Sequence, residues 1–172
     1  MDNDPDNLLR TKAIKVTDFA QAKKAAEQLI TLRKKLGGGA GLAANQAGLN
    51  LAMFIYTPDR TDANLRVVIN PSFEPVGNEM VEGEEACYSE PLRCSTVKRW
   101  KTIRVRYQTL DGEWVEETLT GFPAKVFQHE MDHDDGVLLS DKDAKTIVFP
   151  DRQAFDDYFA GVKATDAKNY QK

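Results

Sequence analysis

Histidine is nearly absent from this chain. Of 172 residues only His129 and His133 are histidine, and both fall in one stretch, KVFQHEMDHDDG. Cysteine is equally scarce, limited to Cys87 and Cys94. One disulfide between them is the alternative, but in a chain of this size without an export signal we read them as reduced and the compartment as cytoplasmic. Positive charge is not in excess either. Lys and Arg number 23 against 27 Asp and Glu, for a net charge of −4, which argues against DNA as a partner. No apolar run approaches a membrane span. The opening MDNDPDNLLR is acidic and polar, unlike a secretory signal or an Arg-rich transit peptide. Glutamate also runs out early: Glu130 is the last one in the chain.

The rest is ordinary for a globular protein, with 41% apolar and 29% charged residues. The length suits one domain over residues 1–172 with a sizeable core. TDFAQAKKAAEQLITLRKKLGGG predicts an N-terminal helix. Asp18 and Gln21 have capping-box spacing, Ala25, Leu29, Leu32 and Leu36 share one face, and Gly37 to Gly39 end the helix. LAMFIY and LRVVINP read as strands around a polar loop. In KTIRVRYQTLDGEWVEETLT, Ile103, Val105 and Tyr107 alternate with polar residues, and Asp111-Gly112 predicts a type I′ hairpin turn. FPAKVFQHEMDHDDG reads as a helix with Pro123 in its first turn and Gly136 past its end. DRQAFDDYFAGV suggests a short last helix capped by Asp151. Hairpins followed by a helix, without regular βα units, define an α+β class.

On a helix His129 and His133 lie on one face, one turn apart, and can chelate one divalent metal. Glu130 is then close enough to act on a water activated there. A catalytic site of this kind needs a third protein ligand. The position that would carry a third histidine after Gly136 holds Leu139, and no downstream glutamate exists. Downstream aspartates remain available. Upstream, Cys87 offers a thiolate, which leaves an open position for water. A closed Cys₂His₂ structural site with Cys94 is the alternative. Its six-residue cysteine spacing is too long for a zinc knuckle, and it would have no use for Glu130.

Three segments in order, GAGLAANQ, EACYS and QHEMDH, resemble the signature motifs of the peptide deformylases, G-x-G-φ-A-A-x-Q, E-G-C-φ-S and H-E-x-D-H, where φ is apolar. The matches are Gly39, Gly41, Leu42, Ala43, Ala44 and Gln46, then Glu85, Cys87 and Ser89, then His129, Glu130, Asp132 and His133. Ala86 and Tyr88 stand where Gly and Leu are usual. The resemblance runs from about Pro5 to about Asp141. It implies antiparallel sheets surrounding a central HExxH helix, and hydrolysis of the formyl group from formyl-methionyl nascent peptides with release of formate.

It further implies Cys87, His129 and His133 as ligands of one metal, Fe²⁺ in the cell, with Zn²⁺, Ni²⁺ or Co²⁺ able to substitute. Glu130 becomes the general acid–base group, and Gln46 with the Tyr88 backbone N–H the oxyanion donors. Asp132 is expected to orient a ligand histidine from behind. The expected partners are a formylated peptide and, transiently, the ribosome, for a monomer with no membrane attachment. A hydrolase of another formamide and a silent formyl-peptide binder are the alternatives.

Several positions depart from the family's apolar substrate groove. Lys125, Glu90 and Asp134 are charged where aliphatic residues are usual, and Ala40 is small. Only MDND precedes Pro5, where the family generally has an apolar strand. With Gly39, Ala40 and Gly41, we place Glu90 and Lys125 in the substrate groove. They should either pair with each other or substrate, or reach water at the rim.

Overall fold

The protein is described from a computed structural model, which covers residues 7–142 and 144–169. The start of the chain through residue 6, where the acidic opening and the missing apolar strand were read, lies outside the described residues.

Helix α1 spans Phe19–Lys35. The Asp18 carboxylate accepts the Ala20 and Gln21 N–H groups at 2.9 and 3.1 Å, and Arg33, Lys34 and Lys35 place positive charge at its C-terminal end. Its buried face is Ala22, Ala25, Ala26 and Leu29. The three alanines let the helix settle closely onto Leu42, Met53 and Ile55 of the sheet beneath.

Seven strands follow: β1 Gly41–Ala43, β2 Met53–Tyr56, β3 Arg66–Pro75, β4 Met80–Cys87, β5 Glu90–Trp100, β6 Thr102–Gln108 and β7 Trp114–Thr120. Helix α2 spans Phe122–Asp134, strand β8 Lys145–Val148 and helix α3 Arg152–Asn169. One sheet has the order β1-β2-β3-β6-β7 and the other β4-β5-β8, with every neighbour antiparallel. The α+β class is as expected. Strand β3 bulges at Asn70, whose side chain takes over lost ladder bonds: it receives the Val16 N–H and donates to the Val16 carbonyl and Gln108.

Helix α2 packs against β1, β2 and β7 of the larger sheet and β5 of the smaller. Phe127 anchors it, with its ring edge-on to Phe54 and Tyr56 at 5.0 and 5.8 Å. Gln128 ties it to β5, accepting the Trp100 N–H at 3.0 Å and donating to the Trp100 carbonyl at 2.8 Å. These two adjacent residues fix the rotation of the helix that carries both histidines.

Three local expectations change. Asp111 does not have the positive φ that a type I′ turn requires. Instead the Gly112 N–H closes on the Thr109 carbonyl at 2.9 Å and Gly112 alone is left-handed, giving a longer loop. The last helix is not short, since α3 continues past Val162 to Asn169. The β4-β5-β8 sheet has no counterpart in the sequence reading, where EGEEACYSEP is only a ligand-bearing stretch.

Gly136, with φ +72, ends α2 as expected, and a Cβ there would stand 2.7 Å from the Arg10 carbonyl carbon. Gly136→Ala is therefore expected to destabilise the protein by about 2 kcal/mol, a Tm fall of roughly 4–8 °C. An unchanged Tm in thermal denaturation would contradict this packing.

Candidate active site

Cys87 ends β4, and His129 and His133 lie on successive turns of α2. Their ligand atoms all fall within 4.8 Å of one another. Cys87 Sγ is 3.2 Å from His133 Nε2, and the two imidazole centres are 5.2 Å apart. One soft and two imidazole donors at this separation fit a single divalent ion. Cys94 is not part of the group. It is buried in β5, and burial pushes its thiol up to about 11. Among the described residues no downstream aspartate joins the group either.

Behind the ligands stands a chain of charges. Glu85 Oε1 lies 2.8 Å from His129 Nδ1. A carboxylate there holds the proton on Nδ1 and leaves Nε2 free to ligate. Burial alone would raise the Glu85 pKa, but Arg99 and His129 hold it well below the usual carboxylate range. Arg99 grips both Glu85 oxygens at 2.8 and 3.0 Å and donates to Asp132 at 2.5 Å. Asp132 also meets Lys142 at 2.9 Å. Asp132 thus reaches His129 only through Arg99 and Glu85, two steps further back than a direct partner. In the protein alone burial disfavours a charged His129, yet bonds to Cys87 and Glu85 outweigh it and raise its pKa well above the ordinary value. A metal ion would displace that proton on binding.

Glu130 is buried, and its Oε2 has no hydrogen-bond partner. A buried carboxylate oxygen left unpaired beside three metal-type donors supports a reactive role over a structural one. Burial pushes its carboxyl up to about 7. Gly41 makes room for it, because a Cβ at residue 41 would overlap the Glu130 carboxylate. Gly39 makes room for Tyr88 in the same way, and its N–H donates to the Tyr88 hydroxyl at 2.8 Å. The Gln46 Oε1 accepts the Ala43 N–H at 2.9 Å. That bond turns the Gln46 amino group to Ser89 Oγ at 3.0 Å and Cys87 Sγ at 3.5 Å.

These groups open into a cavity of about 520 Å³. Gly39, Ala40, Gly41, Tyr88 and Lys125 line it. Glu90 and Asp134 are not among the lining residues. Glu90 instead accepts the Ser140 N–H at 3.2 Å, and the Asp134 carboxylate is buried. Lys125 neither reaches water nor pairs with Glu90. It is buried and meets Asp166 of α3 at 3.2 Å. Reasoning from sequence also missed Arg99 and the α3 residues on the cavity wall. Glu85 was visible only as a motif letter. Asn45, whose amide donates to the His133 carbonyl at 2.6 Å, lay unread inside the GLAANQ motif.

An HExxH helix between antiparallel sheets, completed by a cysteine from the neighbouring strand, defines a single-metal hydrolase. The family model for polypeptide deformylase matches residues 2–147. A peptide deformylase of Thermotoga neapolitana is 39% identical over 150 residues, covering 86% of this chain and 89% of the relative. The crystal structure of peptide deformylase from Thermotoga maritima superposes with a TM-score of 0.74 at 39% identity, over 80% of this chain and 92% of that one. A Met-Ala-Ser-bound deformylase from Acinetobacter baumannii gives a TM-score of 0.72 at 31% identity, over 78% and 91%. The chain belongs to the polypeptide deformylase family, enzymes that remove the formyl group from the N-terminus of nascent peptides.

Because Glu85 sets the His129 tautomer, Glu85→Gln is expected to weaken metal binding by about 10–100-fold. Competition with a chelator measures this, and wild-type affinity in the variant would rule out the bracing role.

Proposed function

We propose that Cys87, His129 and His133 hold the ion, that Glu130 moves the protons, and that Gln46 and the Tyr88 backbone N–H stabilise the oxyanion. The observation that carries this reading is the buried Glu130 carboxylate, with Oε2 unpaired, beside the ligand group. A divalent ion supplies Lewis acidity, so that a water nucleophile forms near neutral pH. Glu130 accepts that water's proton as the oxygen adds to the formyl carbon. The carbonyl oxygen becomes an oxyanion, and the Gln46 amide donates to it. The Ala43 N–H holds that amide in a donating orientation before substrate arrives. Glu130 then returns the proton to the amide nitrogen, the C–N bond breaks, and formate and a free amino terminus leave.

The ligand set suits zinc, ferrous iron, cobalt or nickel, and we assign iron in the cell from the family resemblance. Formyl-methionyl peptides are the proposed substrates, in keeping with the Met-Ala-Ser bound by the 31% identical relative. We place the reaction in the cytoplasm, with the protein meeting emerging chains at the ribosome as a monomer. Two free thiols agree with a reducing compartment, and no described helix is long and apolar enough to cross a membrane.

Glu130→Ala should retain metal and lose roughly 10²–10⁴ in kcat. Gln46→Leu should retain metal and lose roughly 10²–10³ through the missing donor. Turnover of formyl-Met-Ala-Ser with metal content measured in parallel checks both, and near-normal kcat in Glu130→Ala would falsify its role.

A further inference from the structure

Lys125 is the least expected residue of the cavity. It lies one turn before His129, on a stretch of α2 that also lines the cavity through Phe122 and Val126. Its ammonium is turned away from solvent. It donates to the Glu84 carbonyl at 2.9 Å and to the two Asp166 oxygens at 3.2 and 3.3 Å. Asp166 is itself buried and receives Arg60 Nη2 at 3.1 Å. The Arg60 guanidinium lies 4.2 Å from the centre of the Phe122 ring. Its backbone is left-handed, with φ 62, which a non-glycine residue keeps only when its surroundings hold it. One carboxylate from α3 therefore sits between two cations from α2 and the loop after β2, and all three residues line the cavity. Helix α3 lies beyond the segment matched by the family model.

One helical turn is about 5.4 Å, a span comparable to that from a formyl carbon to the body of the first side chain. With the formyl group at the Cys87–His129–His133 centre, that side chain meets the wall made by Phe122, Lys125, Val126 and, from α3, Phe155 and Phe159. A free ammonium in such a wall loses hydration when an apolar side chain covers it, and it attracts a carboxylate. A lysine whose charge is drawn aside presents only its methylene stem.

We propose that Asp166 is a specificity-determining residue. By holding the Lys125 ammonium against α3, it leaves the apolar stem of Lys125 to face the first side chain. The enzyme accepts methionine over a lysine for this reason. Asp166 acts through Lys125 and touches no reacting atom. The inference rests on the formyl group lying at the proposed metal centre.

The test compares kcat/KM for formyl-Met, formyl-Gln and formyl-Glu peptides of otherwise identical sequence. The proteins are metal-loaded wild type, Asp166→Asn and the double variant Lys125→Met/Asp166→Leu. Wild type should favour formyl-Met and treat formyl-Glu no better than formyl-Gln. Asp166→Asn should shift the Glu-to-Met ratio by roughly tenfold or more towards Glu, mainly through KM. The double variant keeps Arg60 as the one cation of the three, so loss of the formyl-Glu gain there, with formyl-Met again first, assigns the effect to Lys125, and a gain that persists assigns it to Arg60 and overturns the proposal. An unchanged ratio in folded, metal-loaded Asp166→Asn overturns the proposal, and so does an equal loss on all three substrates, which is what a purely structural α3 would give. Wild type preferring formyl-Glu to formyl-Gln overturns it without any variant having to fold. Wild type inactive on all three contradicts the proposed function instead.

Discussion

The paired charges of Glu85 and Arg99 are the constraint on which the site depends. Glu85 belongs to β4, Arg99 to β5, and both are almost fully buried. Two charges taken out of water cost several kcal/mol each unless geometry compensates. Here it does, with a two-pronged bond between guanidinium and carboxylate. Each partner also has a bond left for α2: Glu85 for His129 and Arg99 for Asp132. Those remaining bonds form only when the β4–β5 hairpin and α2 are in register. That register brings Cys87, two residues beyond Glu85, opposite the two histidines. Folding and ligand placement are one requirement.

The second constraint is space. Glu130 occupies volume that any side chain at residue 41 would need, and Tyr88 does the same at residue 39. The glycines are there for close approach of the backbone to reactive groups, and neither has a positive φ. The same loop delivers Gln46, whose amide is turned by the Ala43 N–H before any substrate arrives. The orientation of that amide is therefore fixed by backbone, which for the oxyanion donor we propose it to be keeps the cost out of the reaction step.

What the sequence revealed and what it hid divide along one physical line. Local periodicity exposed α1 and the β6–β7 hairpin, because their apolar spacing matches helix or strand, and Pro123 and Gly136 marked the two ends of α2. The ligand logic of His129 and His133 was equally local. Strands β4 and β5 stayed hidden because Glu85, Arg99 and Ser95 face inward and read as surface residues until their partners are known. The length of α3 was missed because KATDAKN is polar and shows no apolar helical spacing, although Asp166 within it is buried. Lys125 and Asp166 are 41 positions apart, and nothing near either one announces the other. Buried polar pairs are long-range facts, and a single sequence has no periodicity that encodes them.

X-ray absorption of the zinc-loaded enzyme tests the central claim most directly, since it counts ligands by type. One sulfur at about 2.3 Å and two imidazole nitrogens at about 2.0–2.1 Å are expected. Two sulfurs, which would bring in Cys94, or a first shell without sulfur would contradict it.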